Sequence, residues 1–297
     1  MRDPASNPPA VVRRLAAMKW PWRRRISPVD TDTTSPEPAA ALTESTVPPA
    51  AAAGVPDGDV VVFVHLPKCG GTSLHEWLTE SLEPGVLSPE RNRMPAELPP
   101  ERIAELHRHR VFSGHFDVID LTHLPAPQRR FTVLRDPVDR LVSLYDFWRA
   151  HDPAFVEEHD LAGPRFALAV TFEEFVSSPD PSVVHDIDNS MVRTFTGSIR
   201  TSEPISDREA ELERAIAVLA GFDHVGHVRR LDDTADWLRA VLGLPASSAG
   251  GPGRANVRGE WAAPHLRNVE RTIVTPAAAA AIEPVVDLDR RLVDAFS

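Results

Sequence analysis

Hydrophobic and polar positions follow two regimes along the 297 residues. From 1 to 58 no periodicity survives, and Pro, Ala, Ser and Thr dominate after Ile26, the composition of a disordered tail. From 59 to 297 apolar residues recur at strand and helix spacing, which predicts one folded domain there. Val60-Val61-Val62-Phe63-Val64 is an unbroken apolar run, the pattern of a parallel strand buried on both faces. A loop over Pro67–Gly71 follows, then a helix that Thr72 or Ser73 is placed to cap, with Leu74, Trp77, Leu78 and Leu82 on one face.

Pro84–Pro100 reads as a proline-punctuated connection, followed by a helix over Glu101–Arg108 and a short strand near Arg110–Ser113. Phe131–Leu134 is a second buried-type strand, ending at Arg135-Asp136-Pro137. Proline suits the first turn of a helix, and the one after it carries an apolar face of Val138, Leu141, Val142, Tyr145 and Trp148. Helical patterns then cover Phe166–Ser177, Ser206–Ala220, Asp232–Leu242 and Thr275–Phe296, with a short strand at His224–Val228. Repeated strand–loop–helix units predict an α/β fold, a mainly parallel sheet flanked by helices on both faces.

Charge narrows the class of function. The net charge is −11, distributed as +6 over residues 1–25, −5 over 26–58 and −12 over 59–297. A general nucleic-acid binder would show a broad basic face instead. The single cysteine excludes an intramolecular disulfide framework, and no run of about 18 apolar residues offers a transmembrane span. A cytoplasmic location is the expectation. The basic stretch 11–25, with Trp20 and Trp22, is either a weak anionic-surface anchor or a solvated tail, since Pro21 stops any helix in it.

Lysine is the scarce cation. Lys and Arg number 32, yet only Lys19, in the basic tail, and Lys68 are lysines. Lys68 lies in His65-Leu66-Pro67-Lys68-Cys69-Gly70-Gly71-Thr72-Ser73, where a compact ammonium precedes two glycines and two hydroxyls. A glycine loop between a buried strand and a helix places backbone N–H groups around an anion. This predicts a P-loop-like three-layer sandwich. The usual nucleotide loop has its lysine after the glycines; here the order is reversed. A second constellation is Arg135-Asp136-Pro137-Val138-Asp139-Arg140-Leu141-Val142-Ser143. Arg135 ends a strand, where α/β sheets bind ligands, and with Ser143 it could hold a second phosphate.

PKCGGTS and RDPVDRLVSLY together resemble the two donor motifs of sulfotransferases that use 3′-phosphoadenosine 5′-phosphosulfate (PAPS). His65 and the Gly114-His115 pair make the chain most similar to the carbohydrate branch that includes heparan sulfate 2-O-sulfotransferase, as a bacterial-type member. The likeness runs weakly on through 188–193, 222–226 and 289–292. It implies that Pro67, Lys68, Cys69, Gly70, Gly71, Thr72 and Ser73 hold the 5′-phosphosulfate, and Arg135 and Ser143 the 3′-phosphate, leaving adenosine 3′,5′-bisphosphate as product. It also implies a Gly-His catalytic base, which is His115 here, and no metal. Two departures stand out: Cys69 replaces a common Thr, and Val228-Arg229 falls where a Thr-Glu pair is expected, which puts a role there in doubt.

Lys68 is then expected to relieve charge on the leaving phosphate, and His115 to accept the acceptor proton. His65 is read as ordering the loop, and His75 and Glu76 as a solvated helix face. Arg193 is either an acceptor or donor ligand or an ordinary helix ion pair. Arg254, Asn256 and Arg258 resemble a donor-covering lid or else form a solvated loop. Cys69 is read as a size-tolerant substitution before a redox thiol. The net −12 of the folded part favours a neutral or weakly charged hydroxyl acceptor: a sugar, a glycolipid or a small metabolite. A P-loop kinase and a non-catalytic nucleotide-binding scaffold are the competing readings.

Overall fold

The computed structural model describes residues 59–91, 95–245, 251–252 and 263–297. The expected tail at 1–58 and the Arg254, Asn256 and Arg258 segment lie outside the described residues. Four parallel strands form one sheet: β1 (Val60–Val64), β2 (Val111–Gly114), β3 (Gln128–Leu134) and β4 (His224–His227), in the order β2-β1-β3-β4. The unbroken apolar run of β1 has a direct cause. Val60, Val62 and Val64 pack into one core with Leu212, Leu219, Leu288 and Leu292. Val61 and Phe63 pack into another with Leu74, Trp77, Leu78, Leu238 and Leu242. Both faces of the strand are therefore covered, as the three-layer expectation requires.

The first layer of helices holds α1 (Gly71–Ser81); α2 (Pro100–Leu106) leads from it into β2. After β3 come α3 (Pro137–Arg149), α4 (Pro153–Glu158), α5 (Ala162–Ala169), α6 (Phe172–Val176), α7 (Val184–Ile187) and α8 (Ser190–Thr196). The chain closes with α9 (Arg208–Ala220), α10 (Leu231–Leu242) and α11 (Pro276–Ala295). The helix expected over Phe166–Ser177 is in fact two. Thr171 starts a new helix with a capping box, its hydroxyl accepting from the Glu174 N–H while the Glu174 carboxylate accepts from the Thr171 N–H.

The stretches 188–193 and 289–292 meet in space and brace the helices. Asn189 is fully buried in a left-handed conformation (φ 46°), and its Oδ1 accepts from the Leu288 and Asp289 N–H groups at 2.9 and 3.1 Å. Asp289 in turn accepts from the N–H groups of Met191 and Val192 at 3.2 and 2.8 Å. Burial pushes its carboxyl up to about 6. Asn189 also donates its own N–H to the Val285 carbonyl at 2.7 Å, so this one residue bonds both donors and an acceptor of the α11 backbone.

Candidate active site

Reversal of strand order creates the site. β2 lies on one side of β1 and β3 on the other, so the chain segments leaving β1 and β3 part around a crevice at their carboxyl ends. The two sequence motifs leave from those ends. A cavity of about 740 Å³ opens there, and Lys68, Gly70, Gly71, Thr72, Ser73, His115, Arg135 and Ser143 all line it. Pro67 lines it too.

Thr72 and Ser73 do not cap α1, contrary to expectation. Gly70 is the cap, in the left-handed region at φ 82°, and no side chain bonds to the helix start. The first-turn N–H groups lack intrahelical partners and the helix dipole is positive there, so the cradle suits an anion. Gly71 is required by a close approach: a Cβ on it would lie 1.8 Å from Cδ2 of His65. A Gly71→Ala variant should therefore lose about 1–3 kcal/mol of stability through overpacking, read as a drop in thermal midpoint. An unchanged midpoint would mean that the imidazole can simply move aside.

Lys68 has φ 69°, a conformation that costs a non-glycine residue on the order of 1 kcal/mol. Its carbonyl accepts from Arg135 Nη1 at 2.8 Å, so the second motif holds the first in shape. Its ammonium lies 3.7 Å from the centroid of the Phe147 ring, a cation–π contact. Asp139, Ser143 and Phe147 all line the cavity, four residues apart along α3. The apolar stripe marked in the sequence faces elsewhere, except that half-buried Trp148 also lines the cavity.

His115 stands across from the phosphate loop. Its Nδ1 is 2.9 Å from the carbonyl oxygen of His65. A carbonyl only accepts, so Nδ1 carries the proton and Nε2 keeps the lone pair. Burial lowers its pKa below 6.5, which holds the ring neutral. His65 is 5% exposed and stacks on His115 with centroids 4.3 Å apart. It also stacks on Phe63 at 5.3 Å, and burial lowers its pKa strongly. The reading of His65 as an ordering residue fits this stack.

His75 is not on a solvated face: its Nδ1 lies 3.0 Å from Ser113 Oγ, and burial pulls its pKa down to about 4. Glu76 is exposed, as expected. The carbonyl oxygen of Arg91, which no motif marked, accepts from the backbone N–H of His115 at 2.9 Å, and the Arg91 charge depresses His65, His75 and His115.

Two other expected site residues are placed differently. The Cys69 side chain is 1% exposed within the core and does not line the cavity, and burial pushes its thiol up to about 12. A redox thiolate is disfavoured at such a site; only the backbone of Cys69 belongs to the loop. Arg193, 1% exposed, is paired with Asp188 and donates to the carbonyls of Asp188 and Glu203 at 2.8 and 3.0 Å. It does not line the cavity, and its guanidinium is engaged by Asp188. Arg193→Ala should cost on the order of 3 kcal/mol, because it removes a buried guanidinium and leaves half-buried Asp188 and two carbonyls without their donor. Its expected signature is a lower denaturation midpoint with nucleotide affinity at the native temperature unchanged.

Fold and site together define an α/β protein with a P-loop-like fold and, at its strand switch point, a cavity lined by Lys68 from one strand end and Arg135 from the next. A sequence profile of the sulfotransferase family matches residues 54–256. That is more than half of the chain, which belongs to the sulfotransferase family: it is a transferase domain of sulfuryl-transfer type. No curated protein matches the sequence. Among the described residues no helix is long and apolar enough to cross a membrane.

Proposed function

We propose that the protein transfers the sulfuryl group of PAPS to a hydroxyl of a carbohydrate, glycolipid or small-molecule acceptor. The observation that carries this reading is the joining of two anion-binding ends and a neutral imidazole in one cavity. The residues present fit the donor. Gly70, left-handed at φ 82°, and Gly71, packed against His65, let the loop turn into the start of α1, where a phosphosulfate would meet its first-turn N–H groups with Lys68 beside them. Arg135 and Ser143 stand at the other strand end for the 3′-phosphate.

PAPS supplies an activated sulfuryl group whose leaving group is a phosphate oxygen. Lys68 neutralises charge that grows on that oxygen as its bond to sulfur breaks. His115 Nε2 takes the hydroxyl proton as the acceptor oxygen bonds to sulfur. The imidazolium so formed keeps its Nδ1–H bond to the His65 carbonyl. The excess of acid over base in 59–297 supports an acceptor with little negative charge.

The P-loop kinase reading is not favoured, since the family match is to sulfotransferases. Radiolabelled PAPS offered with a panel of hydroxylated sugars, glycolipids and metabolites tests the reading. Label should appear in at least one acceptor class with wild-type protein. Transfer of phosphate from Mg-ATP with no sulfate transfer would overturn it.

A further inference from the structure

We infer that Arg229, where the family resemblance led to a Thr-Glu pair and no role, is a specificity-determining residue that reads the 3′-phosphate of the donor. The inference rests on the donor reading above. Register places it. The β3–β4 ladder ends with Leu134 opposite His227, so Arg135 and the Val228-Arg229 turn leave neighbouring strand ends, about 4.8 Å apart. Arg229 lines the same cavity as Arg135, Asp139 and Ser143. Its backbone N–H donates to His227 Nδ1 at 3.2 Å, which fixes where the side chain starts.

The guanidinium has a resting partner. Arg229 Nη2 lies 3.6 Å from Asp139 Oδ2, with the two side chains 74% and 42% exposed. A long, exposed pair of this kind is weak. Asp139 is one helical turn before Ser143, so its carboxylate stands beside the proposed phosphate position and would repel a dianion left uncompensated. Arg229 resolves that conflict: it neutralises Asp139 before donor binding and turns its fork onto the phosphate when the donor arrives. Planar guanidinium pairs bidentately with phosphate, so the exchange replaces a weak contact by a stronger one. The fields of Arg229 and Arg135 both bear on His227, consistent with the two cations meeting at these strand ends. Arg230, the next residue, points instead to Asp233 at 3.9 Å and does not line the cavity.

Calorimetry of the full chain with adenosine 3′,5′-bisphosphate and with adenosine 5′-monophosphate, which lacks the 3′-phosphate, tests this. Arg229→Ala should weaken bisphosphate binding on the order of 10-fold, the scale of one charged hydrogen bond, and monophosphate binding by less than about 2-fold on the same grounds. Arg230→Ala, an exposed neighbouring charge, should leave both affinities within about 2-fold. Equal losses for the two nucleotides in Arg229→Ala, no loss, or the same discrimination lost in Arg230→Ala would each overturn the inference. A wild-type protein that binds both nucleotides equally would instead remove the donor reading itself.

Discussion

Replacing Lys68 by Ala is expected to lower kcat for sulfate transfer on the order of 10²–10³-fold, the usual loss when one preorganised charge at a developing anion is removed. The donor KM should move much less. The asymmetry follows from the resting state. Lys68 Nζ already has a favourable site on the Phe147 ring at 3.7 Å, so its net gain on donor binding is small, whereas charge on the leaving oxygen grows only in the transition state. Lys68→Arg should recover only part of the rate, because a guanidinium fork cannot replace a compact ammonium on a flexible stem. Equal losses in kcat/KM and in donor affinity, with kcat intact, would reduce Lys68 to a ground-state ligand.

The second large effect concerns His115. His115→Asn should lower kcat/KM on the order of 10²–10⁴-fold, the contribution of a positioned general base. The wild-type pH profile carries the signature. A base works when unprotonated, so kcat/KM rises with pH through the imidazole pKa and then levels. Burial lowers that pKa from 6.5, so the plateau should extend to more acid pH than an ordinary histidine allows. The variant should lose this acid limb. An acid limb in wild type above pH 6.5, or one that survives in the variant, would assign the base elsewhere.

Much of this was legible in the sequence, and the reasons are specific. β1 announced itself because both its faces are buried, so no polar residue interrupts Val60–Val64. The phosphate loop and Arg135 were legible because each follows such a strand directly. What failed was local detail decided by tertiary contact. The helices α4, α7 and α8 are at most seven residues long, too short to hold by propensity or to show a period. The break between α5 and α6 did leave a trace, the Thr171-x-x-Glu174 capping box, inside a pattern that otherwise reads as one helix. Gly70 displaced Thr72 and Ser73 as the cap because a left-handed turn ends the loop two residues before Thr72.

In the site, the residues that sequence reasoning missed are those whose role depends on register. Phe147 follows Ser143 by one turn on α3, a spacing that could have marked it. Asp139 precedes Ser143 by the same interval. Arg229 could not be found that way, since its place beside Arg135 is set by the pairing of β3 with β4. Arg193 shows the converse: an arginine near a family-like stretch whose guanidinium serves Asp188.

The central claim is that this cavity binds a 3′-phosphorylated adenine nucleotide at both of its anionic ends without help from a metal. Calorimetric titration of the wild-type chain with adenosine 3′,5′-bisphosphate, in chelator and with no divalent ion, tests it most directly. Saturable one-site binding that Arg135→Ala abolishes is the predicted result. No binding of the bisphosphate, together with binding of Mg-ATP, would contradict it.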